Sequence, residues 1–161
     1  MPIVMDNTLN QIRTTAASGG DRVERAKRLA ELIRKLGEYR WVGVYDVGAE
    51  NASILAWSGP SAPECPTFPV SKGLTGAALR EKRAVVVGDV RNDPRYLTTF
   101  SNNQSGGSTL SEIIVPVFAP GEDRVIGTVD VESEKANAFG PRDQQMIEQC
   151  AQAALPLWLL R

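Results

Sequence analysis

The spacing of the apolar residues changes after Gly37, and this change limits the folds that the chain can adopt. From Asp21 to Gly37 apolar residues recur every three or four positions, the period of an amphipathic helix. From Arg40 onward apolar and other side chains alternate, which is the period of a β-strand. Helical patterns at both ends and paired strand patterns between them predict an α+β fold with an antiparallel sheet.

The break at residues 18–20, Ser-Gly-Gly, divides an N-terminal helical extension, 1–20, from a single domain at 21–161. In the helix that follows, Asp21 is the predicted N-cap and Gly37 the predicted end. Its polar face, which includes Arg22 and Arg25, is expected to face solvent because acids and bases are interspersed along it. The residues alone predict strands at 40–47, 52–58, 84–87, 112–119 and 124–133, and further helices at 72–81 and from about 142.

Two segments between these elements read as loops. Four prolines between Pro60 and Pro69 favour an extended loop over an interior strand. Residues 89–111 are rich in Asn, Asp, Ser and Gly, and Tyr96 and Phe100 lie among them. We interpret this second loop either as a mobile cover over a pocket or as a disordered segment.

Composition excludes several classes of function. The 161 residues contain 18 Lys and Arg against 19 Asp and Glu, so a nucleic acid or an anionic membrane is not an expected partner. The absence of histidine excludes Ser-His-Asp and Cys-His catalysis and imidazole metal sites. Two cysteines form neither a disulfide framework nor a CxxC motif. From this composition we expect no metal and no cofactor. We expect a cytoplasmic protein, because the N-terminus also lacks the apolar run of a signal peptide.

One group of residues could carry a binding function. Strand alternation places Trp41 and Tyr45 on one face, where Gly43 between them leaves space, and it places Asp130 and Glu132 together on a face of the last strand. With Glu112 on a neighbouring strand, two aromatic rings and three carboxylates would suit an ammonium group. The alternative is that these acids lie on the surface and the two aromatic residues belong to an ordinary core.

Several segments resemble the GAF domain of the free methionine-(R)-sulfoxide reductase family, over about 29–154. They are Trp-Val-Gly-Val-Tyr at 41–45, the run 68–76 with Lys-Gly-Leu-Thr-Gly, Gly-Asp-Val at 88–90, Ser-Glu-Ile-Ile-Val-Pro-Val at 111–117, and Gly-Thr-Val-Asp-Val-Glu-Ser at 127–133. The resemblance implies a PAS-related, six-stranded antiparallel sheet. It also implies that the N- and C-terminal helices pack on one face, often forming a homodimer, and that a ligand pocket lies on the other.

The same resemblance implies roles for single residues. Trp41 and Tyr45 match positions that shape the pocket around the sulfoxide methyl end. Glu112, Asp130 and Glu132 match its acidic positions, and Glu132 stands where the family usually has Asp. These five residues are the predicted ligand-binding residues.

The cysteine pattern departs from that family, whose members use up to three cysteines. Cys65 matches a resolving cysteine, Thr75 stands at the second position, and the loop at 89–111 contains no cysteine for the attacking role. Because a thiolate must attack the sulfoxide sulfur, the family's usual mechanism is expected to be absent. Cys150 lies on the apolar side of the last helix and is expected to serve in packing.

Three hypotheses on function follow. The first is a small-molecule-binding GAF domain, non-catalytic or sensory in signalling, whose ligand is a free amino acid such as methionine sulfoxide or another amine-bearing metabolite. The second is a methionine sulfoxide reductase that uses Cys65 as its catalytic residue together with an external thiol. The third is a dimeric interaction module with a vestigial pocket, in which the apolar end at 158–160 forms an interface or packs on the protein's own sheet.

Overall fold

Six strands form one antiparallel sheet in the computed structural model of the protein, which describes residues 2–63, 65–96 and 109–160. Their order across the sheet is β3-β2-β1-β6-β5-β4, so β1 and β6, the first and last strands in the chain, are neighbours at its centre. The predicted α+β class is therefore confirmed. The strands are β1 (Trp41–Val47), β2 (Asn51–Ser58), β3 (Thr67–Pro69), β4 (Val85–Val87), β5 (Ser111–Phe118) and β6 (Val125–Ser133).

The terminal helices cover one face of this sheet, as the resemblance implied, and a short helix lies on the other. The helices are α1 (Pro2–Ala17), α2 (Arg22–Gly37), α3 (Gly73–Glu81), α4 (Pro141–Ala153) and α5 (Pro156–Leu159). Helix α2 contacts β1 and β2, α4 contacts β5 and β6, and α1 packs on α2 and α4. Within the described ranges no helix has both the length and the apolar character needed to cross a bilayer.

The core beneath the terminal helices uses alternate residues of the central strands. Val44 of β1, Val115 of β5 and Val131 of β6 are buried against apolar residues of the helices. Cys150 of α4 is completely buried in the same cluster, and burial raises the pKa of its thiol to about 12. The prediction that Cys150 serves in packing agrees with this position, since the thiolate form is strongly disfavoured there.

Strand β3 is the main difference from the strand prediction made from residues alone. It lies in the proline-rich passage that we expected to be a loop, and it pairs with residues 51–53 of β2 at the edge of the sheet. Pro69 is tolerated there because an edge strand can lack one backbone donor. The starts of the other strands, and those of α3 and α4, differ from the prediction by one residue. In the segment 89–111, which we predicted to be a loop and interpreted as a cover, the structure shows a 3-10 helix, Val90–Asn92. The middle of this segment, 97–108 with Phe100, lies outside the described residues.

Both ends of α2 are fixed by specific contacts. Asp21 caps its start as predicted, since its Oδ1 accepts a hydrogen bond of 3.0 Å from the backbone N–H of Glu24. At the other end Gly37 is the last helical residue, but Glu38 adopts the left-handed conformation, with φ of 52°. A Cβ atom at Gly37 would lie 2.2 Å from the ring of Tyr39, so glycine is needed there for close packing.

The polar face of α2 is not simply solvated, which corrects the expectation for Arg22 and Arg25. Arg22 donates to both carboxylate oxygens of Asp46 at 2.7 and 2.6 Å, and its Nε donates to the carbonyl of Leu157 at 2.9 Å. Arg25 is buried and donates to the carbonyl oxygens of Ala16 and Leu160. The two guanidinium groups therefore tie the ends of α1 and α5 to α2, because a helix end exposes carbonyls without partners within the helix.

The apolar C-terminal end divides into a buried and an exposed part. Trp158 packs on the sheet, where its Nε1 donates to the carbonyl oxygen of Tyr45 at 3.2 Å and its indole lies over Gly127. Leu159 and Leu160 remain 49% and 51% exposed. Of the two alternatives for this segment, packing on the protein's own sheet holds for Trp158, whereas the two leucines are available to a partner.

A methyl group at Gly127 is expected to destabilise the fold. Its Cβ would lie 2.1 Å from Nε1 of Trp158, which is buried and hydrogen-bonded and so cannot easily move. Gly127→Ala should lower the free energy of unfolding by about 1–3 kcal/mol, measured by urea denaturation. Gly19→Ala is the control, because nothing lies within 4 Å of a Cβ atom there. Equal stability of the two variants would contradict the proposed packing.

Candidate functional site

The predicted site residues share the sheet face opposite the terminal helices. In the pairing of β1 with β6, Trp41 lies opposite Glu132 and Gly43 lies opposite Asp130. In the pairing of β5 with β6, Glu112 also lies opposite Glu132. Strand register therefore brings the two aromatic residues and the three acids together across three adjacent strands.

Gly43 allows the two aromatic rings to approach each other. A Cβ atom at Gly43 would lie 2.3 Å from the indole of Trp41 and 2.9 Å from the ring of Tyr45. The space that the sequence predicted at Gly43 is thus occupied by these rings. Nε1 of Trp41 donates to the carbonyl of Ser61 at 3.1 Å, and the ring of Tyr45 meets that of Phe68 edge to face with centroids 5.6 Å apart.

The acids form a row between two apolar clusters. On the β1 side the cluster contains Trp41, Tyr45, Ala52 and Phe68. On the β4 side Ile114 packs with α3 and with the valines of β4. Because β6 lies between β1 and β5, its acids stand where the two clusters meet. We call Glu112, Asp130 and Glu132 the acid row.

The acid row is buried, so the alternative of surface acids is wrong. Relative exposure is 4% for Glu112, 1% for Asp130 and 0% for Glu132. Among the described residues no lysine or arginine forms an ion pair with Glu112 or Asp130. Buried carboxylates without a cation carry a large free-energy cost. These acids therefore do not face bulk water.

Hydrogen bonding within the acid row is uneven. The hydroxyl of Thr109 donates to Oε1 of Glu132 at 2.5 Å, and both residues are buried. Oδ1 of Asp130 is fully buried and receives no hydrogen bond from a described residue within normal geometry, although the Thr128 hydroxyl lies close enough to act on this carboxylate. A buried polar atom of this kind points to a missing partner.

Burial favours the neutral form of three titratable groups in the site, Asp130, Glu112 and Tyr45. Burial raises the pKa of Asp130 to about 8, the Glu132 carboxylate adds to this effect, and the Thr128 hydroxyl opposes it. Burial and the charges of Glu132 and Asp130 hold the pKa of Glu112 well above its ordinary value. Burial and the same acids raise the pKa of Tyr45, so its phenol stays protonated. A bound cation would favour ionisation of the acids because it replaces their lost hydration.

The two positions related to cysteine chemistry lie in different surroundings. Cys65 is partly buried, and it lies close enough to Tyr45 to interact with it electrostatically, which places its thiol near the site. Thr75 is buried in α3.

Thr109 is the contributor to the site that sequence reasoning missed. It lies in a segment that composition assigned to a loop, and a single threonine carries no periodic signal. Strand spacing gives no clue either, because Thr109 shares the parity of Ser111 and Ile113, which belongs to the helix-covered face, and not that of Glu112.

A separate cavity lies away from the acid row. It has a volume of about 580 Å³ and lies between the end of β5, residues 82–84 and α4. Its described walls hold no buried polar atom that lacks a hydrogen bond. Across 2–63, 65–96 and 109–160 no group of His, Cys, Asp and Glu side chains is arranged to hold a metal ion.

Comparisons with known proteins connect this geometry to a family. Residues 21–155 match the profile of the GAF domain. GAF domain-containing protein A of Dictyostelium discoideum is 28% identical over 89% of this chain and 85% of its own length, and protein YtsP of Bacillus subtilis is 25% identical over 79% and 73%.

Comparison with solved structures shows a similar fold in two reductases. The free methionine-R-sulfoxide reductase of Neisseria meningitidis, in complex with its substrate, superposes with a TM-score of 0.80 at 27% identity, covering 96% of this chain and 88% of that one. The type II free methionine-R-sulfoxide reductase of Thermoplasma acidophilum superposes with a TM-score of 0.70 at 30% identity, covering 85% and 94%. The match of the family profile over most of the chain, carried by the sheet and helices described above, shows that this protein belongs to the GAF domain family.

Proposed function

We propose that this protein is a cytoplasmic, non-catalytic GAF domain that binds a small metabolite carrying an ammonium group, with a free amino acid as the main candidate, and that it acts in sensing. The observation that carries the proposal is the buried acid row beside Trp41 and Tyr45, in which Oδ1 of Asp130 receives no hydrogen bond from a described residue. The relative from Neisseria meningitidis, whose structure contains its substrate, supports an amino acid derivative as ligand.

Charge and shape together favour an ammonium group. Carboxylates removed from water regain stabilisation from a cation that donates hydrogen bonds to them. Aromatic rings add cation–π attraction when they border the same space. The rings of Trp41 and Tyr45 lie over Gly43, which is the residue opposite Asp130 in the sheet. The apolar clusters on both sides would accept the uncharged part of the ligand. These features support a ligand with one cationic and one apolar end.

Binding should depend on the ammonium group and on Asp130. L-methionine-(R)-sulfoxide is expected to bind in isothermal titration calorimetry, and 4-(methylsulfinyl)butanoic acid, which lacks the amino group, is not. Asp130→Asn should weaken binding about tenfold or more, because a charged hydrogen-bond partner is lost. Since the pKa of Asp130 is about 8 and the ammonium needs its carboxylate form, affinity should rise between pH 6 and 8.

Asp123→Asn is the matched control for this experiment, because it makes the same chemical change at an exposed carboxylate that pairs with Lys82. It should leave the affinity unchanged. Equal binding of the two probes, or no binding across a panel of amino acids by a folded protein, would overturn the proposal.

A reductase activity is the second candidate, favoured by the placement of Cys65 near Tyr45. In this reaction the Cys65 thiolate attacks the sulfoxide sulfur, which yields methionine and a sulfenic acid on Cys65 after proton uptake. One external thiol then displaces water to form a mixed disulfide, and a second thiol releases Cys65 and an external disulfide.

Cys65→Ser distinguishes the two candidates. With dithiothreitol as the thiol, a Cys65-dependent reductase must lose its consumption of free methionine-(R)-sulfoxide in this variant. We expect no consumption by either the wild type or the variant, and unchanged binding of the probe. Cys150→Ser is the control, because Cys150 is buried on the opposite face. Consumption that disappears in Cys65→Ser alone would replace the binding proposal with the catalytic one.

We further propose that the protein forms a homodimer through its terminal helices. Exposed apolar side chains at the start of α1, at the end of α5 and just after it support this: Ile3, Val4, Leu159 and Leu160. Multi-angle light scattering at micromolar concentration should give twice the mass of one chain, and Leu159→Ser with Leu160→Ser should reduce it. The mass of a single chain for the wild type would contradict the proposal.

A further inference from the structure

The acid row places three carboxylates in one site, but their hydrogen bonds differ. Thr109 donates to Glu132 at 2.5 Å, whereas Oδ1 of Asp130 receives no hydrogen bond from a described residue. We propose that Thr109 is a positioning residue, whose hydroxyl holds the Glu132 carboxylate and leaves Asp130 as the carboxylate that receives the cation of the ligand. The ligand half of this inference rests on the proposed function.

The position of Asp130 in the sheet suits that role. It lies opposite Gly43 on β1 and opposite Ile114 on β5, so neither direct neighbour offers a polar group. The rings of Trp41 and Tyr45 lie over Gly43, beside this carboxylate. A cation at Oδ1 would therefore meet a carboxylate and two aromatic rings, with the Thr128 hydroxyl as the neighbouring donor on the same strand.

Thr109 is well placed to hold Glu132 because the chain around it is anchored. The N–H of Leu110 donates to the carbonyl of Ser133 at 2.8 Å, and the carbonyl of Leu110 accepts from the N–H of Val90 at 2.8 Å. Thr109 itself is buried, so its hydroxyl has few alternatives in water. The extra methylene of Glu132, compared with aspartate, gives its carboxylate the reach for this contact.

Electrostatics link the two carboxylates. Asp130 is faced by Glu132 on its own strand, Glu112 on β5 and Tyr45 on β1, with Cys65 near Tyr45. The charge of Glu132 raises the pKa of Asp130. A hydrogen bond from Thr109 favours the charged form of Glu132, so its removal lets Glu132 become neutral more easily. The pKa of Asp130 should then fall, because a nearby negative charge is lost.

The test begins without ligand, by carboxyl ¹³C NMR titration of the whole chain. In Thr109→Val the titration midpoint of Asp130 should fall by about 0.5 pH unit or more, whereas Thr109→Ser, which keeps the hydroxyl, should retain the wild-type midpoint. Thr109→Ala serves as a second variant if Thr109→Val does not fold, with the same expected shift. An unchanged midpoint in a folded variant that lacks the hydroxyl overturns the positioning role.

A second measurement tests the ligand half with L-methionine-(R)-sulfoxide. Asp130→Asn should lose about tenfold more affinity than Glu132→Gln, since only Asp130 is assigned to the cation. Equal losses, or a larger loss in Glu132→Gln, overturn that assignment. A wild type that binds no probe overturns the proposed function and this assignment together, whereas the NMR shift still decides the role of Thr109.

Discussion

Three carboxylates buried side by side are the constraint on which the arrangement of this protein depends. Charges removed from water are costly unless they are paired, hydrogen-bonded or neutralised by protons. Here Glu132 receives a hydrogen bond, and the raised pKa of Asp130 and Glu112 favours their protonated forms. The cost is confined to one row on one sheet face, and the apolar clusters on both sides keep water from relieving it. The rest of the fold must supply the stability that this row removes.

Strand β6 contributes both to the stabilising core and to the acid row. Its odd-numbered residues Val129 and Val131 enter the core beneath the helices, while Thr128, Asp130 and Glu132 face the site. Because the period of a strand is two, a register slip of one residue would place the acids in the helix-covered core and the valines in the site. The apolar packing of the helices thereby fixes the positions of the acids as well.

The sequence predicted the elements that have a strong period and the residues that share a strand face. Alternation in β1 and β6 placed Trp41, Tyr45, Asp130 and Glu132 correctly, because side-chain direction follows from position alone. Burial of the acids could not be predicted, since it depends on which helix and loop cover that face. Arg25 was wrongly assigned to solvent for the same reason: its partners Ala16 and Leu160 are far apart in sequence. Thr109 was missed because one hydrogen bond leaves no pattern.

The contact between Trp158 and Tyr45 links the C-terminal helix α5 to the strand that lines the site. The side chain of Tyr45 lines the site on one face of the sheet, while its carbonyl accepts the indole N–H on the other. The next residue, Asp46, is held by Arg22, which also binds the carbonyl of Leu157. Any backbone displacement at this point of β1 must therefore either move α5 with it or break these hydrogen bonds. A single strand separates the two faces here. The residues that line the site on one face therefore also support the last helix on the other.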